Sequence, residues 1–295
     1  MPQPSSNTSA NPSGEAENAS LLGFASSYGY SAAGTAVRTT AKQLGRPRWF
    51  VALWGAALPL AILLTWQLIS LSGAIPVYRL PTPLMVYQAA IDLAQRGLLF
   101  ENVAISTQRV LLGFLAGSAI GLIVGAFVGL SRWASILFSP TIGAFRAVPS
   151  LAWVPLLSLY LGINENQKVL LIVIGAFFPV YTTVSGALRH VDSHLVEVGR
   201  AYGLKRLGLL LTVQLPAIIP TVVSGLRLAL AQSWLFLVAA ELIGSSIGLG
   251  FLLKDSQDNG RIDRMFVAII LLGVLGKLTD ALIGVVERYL LRRWS

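Results

Sequence analysis

Long runs of apolar residues alternate with short polar segments along most of the chain. Six runs are long enough for membrane-spanning helices, because roughly 20 helical residues cross a hydrocarbon core of about 30 Å. They cover approximately residues 49–71, 103–130, 136–161, 168–188, 216–243 and 265–286. The pattern predicts an all-α polytopic membrane protein with about six transmembrane helices.

The first 48 residues differ from the rest in composition. They are rich in Ser, Asn, Ala and Gly, and residues 1–37 contain no Lys or Arg. Such a segment buries too little apolar area to offset the entropy of ordering. No signal peptide is predicted, since Leu21–Tyr30 is too short and too polar for one. We expect residues 1–48 to be a disordered cytoplasmic tail and residues 49–295 to be the membrane domain.

Composition narrows the class further. Only 12% of the 295 residues are charged, against roughly 25% in soluble domains. The net charge of +9 does not indicate nucleic-acid binding, because Lys and Arg lie mostly at the ends of apolar runs, where they orient membrane helices. The chain has no cysteine, which excludes disulfides and thiolate chemistry, and its two histidines do not favour a metal cluster.

Basic residues are distributed unevenly between the two sides of the predicted spans. If the N-terminus is inside, twelve lie in cytoplasmic segments: Arg38, Lys42, Arg46, Arg48, Arg132, Arg189, Arg200, Lys205, Arg206, Arg288, Arg292 and Arg293. Six lie outside: Arg79, Arg96, Lys168, Lys254, Arg261 and Arg264. This bias predicts that both termini are cytoplasmic, in agreement with an even number of spans.

Two local patterns predict packing. Glycines recur every fourth residue from Gly113 to Gly129, on nearly one face of the second span. Such a stripe allows another helix backbone to approach closely, either within the chain or at a dimer or gate contact. Before that span, Thr82 and Pro83 have the order of an N-cap and first helical residue. Residues 84–95 are predicted to form an amphipathic helix at the outer interface, with an apolar side that contains Ala90, Ile91 and Ala94.

The charged segment between the fourth and fifth spans carries the most information. Asp192 or Ser193 is placed to cap a short helix that contains Glu197, and Gly203 suits the turn at its end. A second amphipathic piece, residues 204–213, leads to Pro216 in the first turn of the next span. The segment is therefore predicted to be a helix–turn–helix that lies across the cytoplasmic end of the spans. Such an element is suited to receiving a movement from a partner protein.

The same segment resembles the EAA signature of binding-protein-dependent ABC importer permeases, E-A-A-x3-G-x9-I-x-L-P. Glu197, Gly203, Leu215 and Pro216 match it at the required spacing, while Val198, Gly199 and Val213 replace two alanines and an isoleucine. The resemblance implies an ATPase-coupling role for the following residues: Glu197, Val198, Gly199, Arg200, Ala201, Tyr202, Gly203, Leu204, Lys205, Leu215 and Pro216.

The resemblance extends over about residues 50–294. The runs LPTP (80–83), FRAVP (145–149), LGINE (161–165), SGLRL (224–228), AELI (240–243) and LGKL (275–278) are similar to the aliphatic sulfonate, taurine, nitrate and bicarbonate permeases, among which the sulfonate permeases match best. The tail is longer than in that branch, so the resemblance implies nothing about it.

The resemblance implies a type I ABC importer (MetI-like) fold in the bacterial inner membrane. Two copies of the permease would form the pathway, with two cytoplasmic ATPase subunits below and a periplasmic or lipid-anchored binding protein above. The chain has no G-x-x-x-x-G-K-[ST] motif. It is therefore expected to be no enzyme and to hold no cofactor, with ATP and Mg bound by the partner ATPase.

Ionisable residues at membrane depth are functional candidates, because they are costly there unless paired or hydrated. Arg146 lies beside Pro149, Ser150 and Pro155, where a proline-broken helix exposes backbone groups. The candidate substrate pathway is Arg146, Pro149, Ser150, Arg227 and Glu241. A structural role is the alternative for each charge, including an Arg146–Glu241 pair. Lys277 and Asp280 are expected to pair along one helix, and Arg109 to snorkel towards the outer surface.

Other functions stay open on the sequence alone. Within the importer class, nitrate, bicarbonate or taurine is the alternative to an organic sulfonate. In a different class, an ion-coupled secondary transporter is expected to show inverted repeats and acidic relays, and the sequence shows no convincing repeat. A membrane enzyme is not favoured, because no span contains a nucleophile–base pair or a metal cluster.

Overall fold

The computed structural model describes residues 48–149 and 152–294, which form α-helices joined by short loops. The helices in this part of the chain are α1 (Arg48–Leu71), α2 (Pro83–Gln95), α3 (Leu98–Leu130), α4 (Arg132–Ala147), α5 (Trp153–Leu161), α6 (Glu165–Arg189), α7 (Ser193–Ala201), α8 (Arg206–Leu209), α9 (Leu215–Gly244), α10 (Leu249–Asp258) and α11 (Ile262–Trp294). A π-helical turn, Leu210–Gln214, joins α8 to α9. The predicted all-α class is confirmed. The predicted tail, residues 1–48, lies outside the described residues except for Arg48.

Within the described ranges, four helices are long and apolar enough to cross a membrane: α3, α6, α9 with the turn before it, and α11. They correspond to the second, fourth, fifth and sixth predicted spans. The first predicted span coincides with α1, whose residues Ala57–Leu71 form a shorter apolar helix.

The third predicted span, residues 136–161, is wrong as a continuous helix. Helix α4 ends at Ala147 and α5 begins at Trp153. Val148 has φ −68° and ψ 125°, because the ring of Pro149 disfavours the helical conformation of the residue before it. The 16 residues of α4 and the 9 of α5 are each too short to cross about 30 Å at 1.5 Å per residue. Phe145 and Trp153 stack across the break, with ring centroids 5.8 Å apart.

The glycine stripe of α3 packs against α6 within the chain, as the first of its two interpretations predicted. A Cβ built on each of its five glycines would lie within 3.0 Å of an atom of α6. At Gly117 it would lie 2.5 Å from the carbonyl oxygen of Val173 and 2.8 Å from the Cβ of Ala176. The missing side chains let the two backbones approach closely, which is how helices gain contact where lipid provides no hydrophobic drive.

The N-terminus of α2 is capped as predicted. Pro83 is its first residue, and the Oγ1 of Thr82 accepts a hydrogen bond from the Met85 N–H at 3.2 Å. The predicted apolar face of α2 contained Ala90, Ile91 and Ala94, but the buried residues are Val86, Ala89 and Leu93. They face inward because α2 packs on α10 and α11, where Leu252, Val267 and Ala268 complete an apolar cluster.

Substitution of Gly117 by leucine tests the α3–α6 contact. We expect a loss of stability of about 1–3 kcal/mol, the usual result of overpacking, because the new side chain meets the backbone of Val173 rather than a flexible side-chain end. The measurement is the thermal melting of the detergent-solubilised protein, with Gly273→Leu as the control, since a Cβ on Gly273 has no heavy atom within 4 Å. Equal melting of the two variants would contradict the assignment.

Candidate functional site

The loop of residues 189–215 forms the predicted helix–turn–helix. Helix α7 begins after Asp192, whose Oδ1 accepts a hydrogen bond from the His194 N–H at 2.9 Å. Gly203 has φ +77°, a left-handed conformation that glycine adopts without strain, and its N–H donates to the carbonyl of Arg200 at 2.9 Å. The predicted second piece, residues 204–213, is instead the short α8 followed by the π-helical turn, which continues into α9.

A close contact holds the two arms of this loop together. Gly199 is buried, and a Cβ built on it would lie 2.6 Å from the Cδ1 of Leu209. The outer surface of the loop exposes large apolar side chains, among them Val198, Tyr202 (84% exposed) and Leu207. Glu197, Arg200 and Lys205 are exposed beside them. An apolar patch with a charged rim at the end of a membrane domain is typical of a surface that binds another protein.

Arg146 lines a groove between α4, α6 and α9. The groove has a volume of about 320 Å³. Its polar lining consists of Arg146, Thr182, Thr183 and Gln232, and its apolar lining of Ile174, Gly175, Phe178, Pro179, Leu228 and Phe236. The Nη1 of Arg146 donates to the Oγ1 of Thr182 at 3.1 Å. Among the described residues, no carboxylate lines the groove and Arg146 is its charged side chain, so its electrostatic character is positive.

The other residues of the predicted pathway do not line this groove. Pro149 is exposed beside the helix break, and Ser150 lies outside the described residues. Arg227 forms a bidentate ion pair with Asp280, with nitrogen–oxygen distances of 2.8 and 2.9 Å, and reaches Glu287 at 3.2 Å. It thus joins α9 to α11. The expected pair of Lys277 with Asp280 is present at 3.7 Å, a longer contact than that of Arg227.

Glu241 is buried in a cluster that sequence reasoning missed. Its Oε1 lies 2.6 Å from the Nη1 of Arg109, and its two oxygens accept from the hydroxyl of Ser106 at 2.9 and 3.0 Å. The Nη2 of Arg109 also lies 2.6 Å from Glu165, which pairs with Lys168 at 2.8 Å. The cluster contains two cations and two anions, so its charges balance. It joins the first turns of α6 to α3 and to the end of α9.

This cluster corrects two expectations. Arg109 does not snorkel, because its side chain is 4% exposed and bound to two carboxylates. Glu241 does not pair with Arg146, and at 1% exposure it does not face a pathway in this conformation. The sequence marked Arg109 and Glu241 as charges within apolar runs, but they are 132 residues apart, and nothing in a single sequence indicates that they meet.

The cluster also fixes the glycine-rich loop between α9 and α10. The Gly250 N–H donates to the Oε2 of Glu241 at 2.7 Å, and the Leu249 N–H to the Oγ of Ser106 at 2.8 Å. Gly248 has φ +128°, and a Cβ there would overlap the Glu241 carboxylate. Glycine is therefore required at this point by both its conformation and the space available.

Helical spans with a groove between them and an exposed helix–turn–helix at one end are the architecture expected of a transport permease. The chain is a member of the family of binding-protein-dependent transport system inner membrane components, whose model matches residues 117–292. It is a multi-pass inner membrane protein and a transport subunit rather than an enzyme. Permeases of this family work with an ATPase and a binding protein.

Relatives of similar length support this assignment. The chain is 39% identical to the provisionally named aliphatic sulfonates transport permease proteins of Bacillus subtilis, over 88% of this chain and 96% of that one, and of Escherichia coli, over 84% and 94%. It is 30% identical to the bicarbonate transport system permease protein of Synechococcus elongatus, over 86% of this chain and 96% of that one.

A solved structure shows the same fold. The inward-facing methionine ABC transporter MetNI superposes with a TM-score of 0.58 at 21% identity, covering 67% of this chain and 98% of the matched chain. The predicted type I importer fold is thereby confirmed.

Substitution of Glu241 by glutamine tests the buried cluster. Removing one partner leaves the Arg109 guanidinium short of one negative charge, and breaking a buried ion pair usually costs about 3–5 kcal/mol. We expect a markedly lower melting temperature in detergent. The control is Asp258→Asn, which removes the exposed partner of Lys254 and should hardly change the melting temperature. The role of the cluster is refuted if both variants melt like the unmodified protein.

Proposed function

We propose that this permease imports a small organic oxyanion, with an alkyl sulfonate as the first candidate. The observation that carries the proposal is the groove around Arg146, which combines a guanidinium, two threonine hydroxyls and an amide with an apolar wall and has no acidic residue in its lining. A cation is costly at membrane depth unless it is compensated. A passing anion would supply that compensation here.

The chemistry of the groove fits the two ends of such a molecule. The planar guanidinium of Arg146 is suited to charge-assisted hydrogen bonds with an oxyanion. The hydroxyls of Thr182 and Thr183 already donate to backbone carbonyls of α6 at 2.8 and 2.7 Å, so the side-chain amide of Gln232 is the further donor in the lining. Phe178 and Phe236 line the same groove and are suited to an alkyl chain. Its volume of about 320 Å³ is at the lower end of small-molecule sites.

The relatives support the same substrate class. Two of them are provisionally named for aliphatic sulfonates and one is named for bicarbonate. Nitrate and bicarbonate have no apolar part to place against Phe178 and Phe236, so the groove favours a sulfonate over these alternatives. Taurine carries an ammonium group, which a groove without a carboxylate does not favour. The ion-coupled transporter is set aside, because the chain belongs to the ABC importer family.

We also infer that the 189–215 loop is the element that receives the ATPase. Support comes from the apolar patch of Val198, Tyr202 and Leu207, which is exposed and lies between charged residues. ATP and Mg bind to the ATPase, and closure of two ATPase subunits pulls the loops of two permease copies. The excess of Lys and Arg around this loop supports a cytoplasmic location for it and for both termini. The binding protein then docks at the opposite end.

Arg146→Gln is the test of the anion pathway. In proteoliposomes with the ATPase and the cognate binding protein, we expect ethanesulfonate uptake to fall by about ten-fold or more, since a hydrogen bond to a charged group contributes about 1.5–3 kcal/mol. ATPase stimulation by ethanesulfonate, nitrate and bicarbonate, each with the binding protein, ranks the substrates. Arg79→Gln, at an exposed position outside the grooves, is the control. Unchanged uptake by Arg146→Gln refutes the pathway, and stimulation by nitrate or bicarbonate alone refutes the sulfonate.

Gly203→Pro and Glu197→Lys test the coupling role. Proline is incompatible with the φ of +77° at Gly203, and lysine reverses an exposed charge on α7. We expect both variants to insert normally and to lose transport, with ATP hydrolysis no longer stimulated by the loaded binding protein. Gly273→Ala, on the exposed face of α11, should transport normally. Full uptake by both loop variants would rule out the coupling role.

A further inference from the structure

We propose that a second oxyanion site lies between the Arg146 groove and the 189–215 loop, and that the transported anion occupies it before release. The site, here called the inner groove, is formed by Arg189, His190, Ser139 and Ser185 together with Arg146 and Thr182. The identity of the anion in this site rests on the proposed function of sulfonate import. The existence of an oxyanion site at Arg189 is tested separately below.

The inner groove continues the Arg146 groove along one face of α6. It has a volume of about 260 Å³, and Arg146 and Thr182 line both grooves. Arg189 lies seven residues beyond Thr182 on the same helix, an axial distance of about 10 Å at 1.5 Å per residue. An anion leaving Arg146 therefore meets the next guanidinium about two helical turns further on.

The two arginines differ from five cations of α3, α6, α9 and α11. Arg109, Lys168, Arg227, Arg264 and Lys277 all have a carboxylate within 4 Å. In the part of the chain that the structure describes, no such ion pair is formed by Arg146 or Arg189. Among the described residues, no Asp or Glu lines the inner groove. Carboxylates thus compensate the charges of the five other cations but not those of Arg146 and Arg189.

Neutral hydrogen bonds hold the groups of the inner groove in place. The Nη2 of Arg189 donates to the Oγ of Ser139 on α4 at 2.8 Å, and the Nη1 of Arg146 donates to Thr182. The Nδ1 of His190 lies 2.8 Å from the Gly186 carbonyl. Each guanidinium uses one of its five N–H groups in this hydrogen bond. Several N–H donors therefore remain for an oxyanion.

A third groove extends this series of grooves to the 189–215 loop. It has a volume of about 360 Å³ and shares Arg189 with the inner groove, and it adds Arg132, Ser131, Ser135 and Gln214. Gln214 is the last residue of the π-helical turn before α9. Again no acidic side chain is part of the lining. Three grooves joined by shared arginines thus form a positive route from the middle of α6 to the 189–215 loop.

A series of weak sites suits transport, because an ion must bind well enough to enter and loosely enough to leave. Occupancy of the inner groove from the cytoplasm would hinder arrival of the next anion. The inference therefore predicts inhibition of import by the transported anion on the cytoplasmic side, with Arg189 as the residue that sets its concentration dependence.

Equilibrium binding is the first test. We would measure inorganic sulfate and ethanesulfonate binding to the permease–ATPase complex in nanodiscs without nucleotide. We expect two sites per permease copy in the unmodified complex, one in Arg189→Gln, and two again in Arg189→Lys. Arg79→Gln is the matched control and should retain two. A count of two in Arg189→Gln overturns the inference.

A lipid phosphate offers similar chemistry to a free oxyanion, so the lipid is varied in the same assay. Nanodiscs of phosphatidylcholine and of phosphatidylglycerol should give the same count of sites and dissociation constants within about two-fold. Loss of the Arg189-dependent site in phosphatidylglycerol would assign that residue to lipid headgroups and overturn the inference.

Inhibition from the cytoplasmic side is the second test. Proteoliposomes are loaded with ATP, Mg and increasing ethanesulfonate, and initial uptake of labelled ethanesulfonate is measured. We expect Arg189→Gln to raise the half-inhibitory internal concentration by about ten-fold, while Arg79→Gln leaves that concentration and the uptake without internal anion within two-fold of the unmodified values. An unchanged half-inhibitory concentration counts against the inner groove. Failure of the unmodified complex to take up ethanesulfonate overturns the sulfonate proposal. The number of oxyanion sites measured in the binding experiment then tests the inner groove independently.

Discussion

A charged side chain at membrane depth is destabilising unless another charge, a polar backbone group or water compensates it, and this constraint separates the paired charges that join helices from the cations that we propose as anion sites. Arg109 and Lys168 are balanced by Glu165 and Glu241, and Arg227 is balanced by Asp280 and Glu287. These pairs join helices. Arg146 and Arg189 are held only by hydroxyl groups within the described part of the chain, and both line grooves.

Close packing of α3 on α6 decides where those grooves lie. One face of α6 is buried against the glycine stripe of α3, which leaves Phe178, Thr182 and Arg189 on a face directed towards α4 and the grooves. The break at Pro149 ends α4 just after Arg146, so this arginine lies at a helix end instead of in the middle of a continuous span. Packing and the break together place the cations along one route.

The same helix connects the groove to the proposed coupling element. Helix α6 ends at Arg189, and α7 begins four residues later, so a displacement of the loop acts on the residues that line the inner groove. At the opposite end, the neutral cluster holds the glycine-rich loop of residues 244–250 against α3. One end of the protein is thus fixed by buried ion pairs, whereas the other exposes an apolar patch suited to a moving partner.

The sequence by itself determined the membrane class, the helical fold, the caps at Thr82 and Asp192, the turn at Gly203 and the importer family, because these depend on local patterns of apolar, capping and glycine residues. The prolines beside Arg146 indicated a broken helix, but the sequence did not determine that the third span forms two separate helices too short to cross a membrane, since an apolar run has the same hydropathy in either case. Nor did it show that Arg109 meets Glu241, or that Arg146 and Arg189 form no ion pair with any described residue. Those relations depend on helix rotation and packing between residues far apart in the chain, which only the tertiary structure decides.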